Sequence, residues 1–289
     1  MGLSLLSNFS QMKKINFPLI LIAWTLFPVC LRAQIQGPDG RADSPDTSRF
    51  FISFDSTKIH FETWGVGEPV LLLHGFVVSG ASWKNTALYK DLVRSGFTVI
   101  VPDMRGNGLS GKPHNPEAYA QDAEAKDMMG LIKMLGFNHY SVVGYSRGSI
   151  IAARLLVLDK RVVKGVLGGM GADFTNPEWP RRIMFYKALM GEPVKELEGM
   201  VKYIQSSGLD QLALAYLQKE QPSTSKKELG AVKQPVLVVC GDKDSDNGSS
   251  DELVKLIPNA RHANVPGDHG GAFRTAEFSS AVVSFLEKR

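Results

Sequence analysis

Cysteine is nearly absent. The 289 residues hold two, Cys30 and Cys240, too few for a disulfide framework, so stability must come from a buried core, and a chain of this length can supply one. Basic residues are not clustered either. Lys and Arg total 33 against 29 acids, scattered, with no basic block interleaved with aromatics, which argues against a nucleic-acid partner. No metal-ligand cluster, phosphate loop or dinucleotide fingerprint is present, so neither a metal nor a cofactor is implied. No apolar run reaches the ~20 residues of a spanning helix. The longest, from about Phe17 to Leu31, is interrupted by Pro18 and Pro28.

That run has another reading. In "MKKINFPLILIAWTLFPVCLRAQ", Lys13 and Lys14 precede a short apolar core, and the small residue Ala33 precedes a polar stretch. This is the pattern of a secretory signal. Residues 1–33 are expected to be a signal peptide and the protein to be exported, periplasmic or secreted. Met12 serves equally well as the start. The bland alternative is an uncleaved anchor, the one route to a membrane. Cys30 would leave with the signal; Val29 ahead of it does not suit lipoprotein processing. Residues 34–48, "QIQGPDGRADSPDTS", are Gly-, Pro- and Asp-rich and read as a flexible linker. The folded domain is expected over 49–289.

Arg49–Phe54 and Lys58–Trp64 read as an antiparallel hairpin. "EPVLLLHG", "FTVIVPDMRG", "HYSVVG", "VVKGVLGG" and "QPVLVVCG" are strands without polar alternation, as in a sheet covered on both faces; "ARHANVPG" is weaker. Helical patterns separate them. Tyr119–Leu135 carries Asp122, Glu124 and Asp127 early, where the helix dipole favours acid, and Thr275–Leu286 has Phe278, Val282 and Phe285 on one face. The alternation predicts an α/β, doubly wound, mostly parallel eight-stranded sheet. Residues 174–229 break it: they are helical in pattern, rich in aromatics and Met, and insert no strand. Such an excursion is placed to cover the carboxyl edge of the sheet, where these folds bind ligands. Phe185 and Met190 are its candidate acyl-site residues, although packing within the excursion explains the same side chains.

"SVVGYSRGSIIAARLL" (141–156) passes from strand to buried helix through Gly144 and Gly148, where a side chain would meet backbone. The turn leaves Ser146 at its apex. A serine needs a histidine base, and the base needs a carboxylate to hold its tautomer. Of six histidines, His269 in "VPGDHGGAF" follows the last strand on the carboxyl edge where Ser146 emerges. Asp244 is the favoured acid, with Asp242 and Asp246 as alternates. The amide of Arg147 opens the helix and is a free donor for an oxyanion. The second donor is expected from Phe76, in "HGF" after the third strand.

The ordered motifs "HGF", "PDMRGNGLS", "GYSRG", "GDKD" and "GDHGG" resemble the α/β-hydrolase superfamily, of the serine hydrolase or esterase type with a helical cap, over nearly all of 50–289. The resemblance implies Ser146 as nucleophile, Asp244 as acid, His269 as base, the Phe76 and Arg147 amides as oxyanion hole, 174–229 as cap, and His74 and Gly75 as structural residues of the oxyanion loop. Arg147 and Asp268 depart from the usual residues at their positions. Arg147 either contacts an acidic substrate or pairs with a local carboxylate. The implied activity is hydrolysis of a carboxylic ester of a small, mainly apolar substrate. Other bonds for the same machinery are a thioester, a lactone, a carbon–carbon bond beside a carbonyl, or peracid formation. A non-catalytic small-ligand module is a third reading, against which the intact Ser, Asp and His argue. Serine at the elbow argues against epoxide hydrolase and dehalogenase chemistry, which use a carboxylate nucleophile.

Overall fold

The computed structural model describes residues 48–288. The expected signal peptide, Cys30 and most of the linker lie outside them. Eight strands form one sheet: β1 (Arg49–Ile52), β2 (Lys58–Trp64), β3 (Pro69–Leu73), β4 (Thr98–Pro102), β5 (Tyr140–Tyr145), β6 (Val162–Gly168), β7 (Val236–Gly241) and β8 (Ala260–Val265). Their spatial order is β1-β2-β4-β3-β5-β6-β7-β8. β1 with β2 and β2 with β4 are antiparallel; every later pairing is parallel. Strand order reverses around β3 and β5, where a doubly wound sheet opens a crevice at its carboxyl edge.

Helices α1 (Ala81–Lys84) and α2 (Ala87–Arg94) join β3 to β4, α3 (Ala123–Met134) joins β4 to β5, and α4 (Arg147–Leu158) joins β5 to β6. Between β6 and β7 lie α5 (Pro180–Leu189), α6 (Glu198–Ser206), α7 (Gln211–Lys219) and α8 (Lys226–Gly230). The chain closes with α9 (Ser250–Leu256) and α10 (Ala276–Glu287). Polar residues set several helix starts: Thr86, Asp210 and Thr275 accept from backbone N–H groups, and Ser225 with Glu228 forms a capping box.

β3, β5 and β7 are buried along their whole length, because both faces are covered. Leu71, Leu73 and Val142 pack with Ile151, Leu155, Met128 and Leu131 on the α3–α4 side. Val70, Leu72 and Val143 pack with Leu88, Phe278 and Val282 on the α2–α10 side. Leu189, Ile204, Leu214 and Leu217 give α5–α7 a separate small core. The excursion is therefore narrower as a unit than 174–229: Phe174, Trp179 and Leu229 belong to the main core.

Two local expectations need correction. β1 stops at Ile52 rather than Phe54, because Ser53 N–H turns back onto the Thr57 carbonyl at 2.9 Å and Ser56 has φ 68°. The helix expected from Tyr119 starts at Ala123, after a 3-10 turn at Pro116–Tyr119 and two left-handed residues, Gln121 and Asp122. The acids early in α3 do not serve its dipole. Glu124 and Asp127 are buried and pair with Arg147 and Arg105, and Asp122 pairs with Arg154. Burial pushes the Asp127 carboxyl up to about 6, against the opposing pull of its hydrogen bond and charge contact with Arg105.

Candidate active site

The turn between β5 and α4 is set by what cannot fit there. A Cβ on Gly144 would come within 2.3 Å of the Gly148 carbonyl oxygen, and one on Gly148 within 2.2 Å of the Leu73 carbonyl oxygen. With both positions bare, the chain turns inside the packed sheet, and Ser146 takes φ 54°, ψ −123°. Such a backbone costs about 1–3 kcal/mol and persists only where the surroundings hold it. Here Ser146 N–H donates to the Gly168 carbonyl at 2.8 Å, and Ser149 N–H to the Ser146 carbonyl at 2.8 Å.

The structure brings Ser146, His269 and Asp244 together from three loops of one sheet edge. The Ser146 hydroxyl lies 2.9 Å from His269 Nε2, and His269 Nδ1 lies 2.9 Å from Asp244 Oδ2. A carboxylate only accepts, so Nδ1 donates to Asp244 and Nε2 is left to accept the serine proton. The other two aspartates are engaged elsewhere. Asp242 Oδ1 accepts from Gly267 N–H at 2.9 Å, and Asp246 faces Arg181 at 3.6 Å. The Asp244 side chain is 3% exposed, against 26% for His269. Tyr145 holds the His269 loop by donating its hydroxyl to the His269 carbonyl at 2.7 Å. Burial, with the Asp244 charge, pushes the Tyr145 phenol up, so it remains a donor.

Phe76 and Arg147 flank the serine. Arg147 is the first residue of α4, so its N–H has no partner within the helix. No acceptor among the described residues takes the Phe76 N–H. The loop carrying Phe76 is close: a Cβ on Gly75 would lie 3.6 Å from Ser146 Cβ. Two side chains tie it down. Asn107 Nδ2 donates to the Phe76 and Val78 carbonyls at 2.7 and 3.0 Å. His74 Nδ1 donates to the Gly75 carbonyl at 2.7 Å while its Nε2 accepts from Met104 N–H at 3.0 Å. Burial pushes the His74 imidazole down, and a neutral ring is what one donor and one acceptor require. Sequence reasoning missed Asn107 and Tyr145. Both sit inside quoted motifs, but their partners are far along the chain.

Arg147 resolves towards its structural alternative. Both terminal nitrogens donate to the Glu124 carboxylate, and Nη2 also reaches the Leu217 carbonyl at 3.2 Å. The side chain fastens α4 to α3 and to α7. Cys240 is buried, with its thiol pushed up by burial, and takes no part in the site.

A cavity of about 360 Å³ opens on Ser146 and His269. Phe76, Trp83, Met170, Trp179, Phe185 and Phe273 form most of its apolar wall. Phe185 reaches in from α5 and meets the Phe76 ring edge-on at 5.9 Å. Met190 does not: it lies past the end of α5 and is 47% exposed. Among the described residues no cluster of three metal-ligating side chains exists, and no helix is long and apolar enough to cross a membrane.

The family model described as alpha/beta hydrolase fold matches residues 68–198. A non-heme haloperoxidase of Rhodococcus erythropolis is 28% identical over 82% of this chain and 99% of its own length. Epoxide hydrolase 3 of Siraitia grosvenorii is 37% identical, but over 35% of this chain and 31% of that protein. Among solved structures, an esterase from Exiguobacterium antarcticum superposes with a TM-score of 0.69 at 20% identity, covering 83% of this chain and 99% of the other. That likeness speaks to the fold.

Proposed function

We propose that this chain, whose residues 68–198 match the alpha/beta hydrolase fold family, is a serine hydrolase cleaving a carboxylic ester of a small, mainly apolar substrate. The observation that carries this is the unbroken hydrogen-bonded series Asp244–His269–Ser146, with 2.9 Å at each step, ending in a cavity. His269 Nε2 takes the Ser146 proton as Oγ attacks the ester carbonyl. The N–H groups of Phe76 and Arg147 hold the oxyanion, each worth about 100- to 1000-fold in rate. The imidazolium, steadied by Asp244, then protonates the leaving alcohol. Water, activated by the same Nε2, releases the acid and restores Ser146. Asp244 and Tyr145 position the base, while Asn107 and His74 position the oxyanion loop.

A fluorophosphonate probe and short-chain p-nitrophenyl esters test the proposal. Wild type should be labelled at Ser146 and turn the esters over; an unlabelled protein with no esterase activity would overturn it. The full-length likeness to a haloperoxidase supports one second reading. Hydrogen peroxide would replace water as acyl acceptor, giving a peracid from the same acyl-enzyme, and peroxide-dependent bromination in acetate buffer reads it. The carboxylate-nucleophile route is disfavoured because the elbow residue is serine. The Lys13–Leu31 pattern supports export, which N-terminal sequencing of the native protein and its fractionation would test.

A further inference from the structure

Charge on the cavity wall is one-sided. Arg147, Arg181, Arg182 and Arg274 line it, and no Asp or Glu of the described residues does. Arg147 is neutralised by Glu124. Arg181 has Asp246 at 3.6 Å, beyond hydrogen-bond contact. The other two have no carboxylate among the described residues. Arg182 donates to the carbonyls of Gln218, Lys219 and Pro177, and its Nε has no acceptor. Carbonyls orient a guanidinium without cancelling its charge. Arg274 makes no side-chain hydrogen bond or ion pair with the described residues; its guanidinium lies 4.8 Å over the Phe273 ring. That ring packs 4.8 Å from Tyr145, whose own ring is 5.5 Å from His269. A free, oriented cation thus stands a short aromatic stack away from the base.

Uncompensated positive charge beside an apolar wall concentrates anions, and the planar guanidinium fork matches a carboxylate. We propose that the cavity selects esters carrying a second, ionised carboxylate, such as half esters of dicarboxylic acids, with Arg274 meeting that carboxylate and Arg182 adding charge from the cap. This rests on Ser146 being the acylated residue. The apolar walls hold the chain between the two carboxyl carbons, and the arginines fix which end reaches Ser146.

The test compares monomethyl with dimethyl adipate as substrates of the wild type, R274Q and R274K. The ratio of kcat/KM for the half ester to that for the diester should fall roughly fivefold in R274Q, the worth of a solvent-touched ion pair. It should fall less in R274K, which keeps the charge but not the fork, and the change should appear in KM. Raising salt should lower wild-type kcat/KM for the half ester alone. Arg274 has no hydrogen bond to lose, only its stacking over Phe273, and diester turnover in R274Q reports whether the fold is kept. An unmoved ratio in R274Q, or an equal salt effect on both esters, overturns the inference while diester turnover and phosphonate labelling leave the hydrolase reading standing. Labelling without turnover of either ester overturns the inference too. Absence of both labelling and turnover overturns the hydrolase reading and this one with it.

Discussion

Among the described residues, two Ser–His–Asp series have 2.9 Å at both steps; a third, Ser250–His262–Asp251, has 3.1 and 2.8 Å. In one, Ser146 lies 2.9 Å from His269 Nε2 and His269 Nδ1 lies 2.9 Å from Asp244. In the other, Ser48 lies 2.9 Å from His60 Nε2 and His60 Nδ1 lies 2.9 Å from Asp103. Their surroundings differ. Ser146 sits on a strained turn at a helix start, beside amides with nothing to donate to. Ser48 sits at the surface just ahead of the edge strand β1. The amides near Asp103 are already engaged, since Gly80 and Leu109 N–H groups each donate to its carboxylate at 2.8 Å. The His60 side chain is 7% exposed against 26% for His269. A cavity of about 450 Å³ borders the second series, but Ser48 is not on its wall, whereas Glu62 and Asp103 are. An oxyanion there would meet carboxylates. Three side chains in line are therefore not a reaction site; unspent donors and a strained presentation distinguish one.

The largest break in this comparison should come from S146A, which we expect to lower kcat on an ester by about a million-fold and to abolish phosphonate labelling. Residual labelling at Ser48 would erase the distinction. Next is D244N, expected to cost about 10⁴ in kcat by inverting the His269 tautomer, with KM little changed. The counterpart, D103N, should act on stability instead. It weakens acceptors for His60 and two backbone donors, a loss of about 1–3 kcal/mol in denaturant unfolding, with esterase kcat kept.

A pH effect follows from His74, which with His60 is one of the two buried histidines among the described residues. Folding lowers the His74 pKa from its ordinary 6.5 through burial. The unfolded chain then binds more protons below that value, so this contribution to stability is complete above pH 6.5 and is lost as pH falls towards the folded pKa. The slope approaches about 1.4 kcal/mol per pH unit. Unfolding midpoints at pH 7 and pH 5 should differ less in H74Q than in wild type. The smallest effect belongs to S48A, whose hydroxyl is at the surface: within about 0.5 kcal/mol in stability and no change in kcat. A large loss would make the two series equivalent after all.

Much of the site was readable because local rules wrote it. Gly144 and Gly148 bracket one serine between an apolar strand and an apolar helix, and a Cβ at either glycine would meet backbone. The continuous apolar runs of β3, β5 and β7 required a sheet covered twice. The acid was another matter. Asp242, Asp244 and Asp246 share one loop, and only its folded path turns Asp242 to Gly267 and leaves Asp244 facing His269. Glu124 read as a dipole acid because its partner, Arg147, is 23 positions away. Met190 read as a pocket residue because a short helix leaves its facing face undetermined; α5 turns Phe185 inward, and Met190, just past its end, is exposed.

By itself the sequence determined the alternation of strands and helices, the elbow, and the histidine at the end of the last strand. Each of these follows from steric limits or apolar periodicity acting over a few residues. Tertiary structure alone decided which aspartate holds His269, that Arg147 is neutralised while Arg274 is not, and that one of two matching Ser–His–Asp series has free amides beside it. Those outcomes depend on pairing between distant segments, where a charge or donor is engaged or left over only once its neighbours are packed against it.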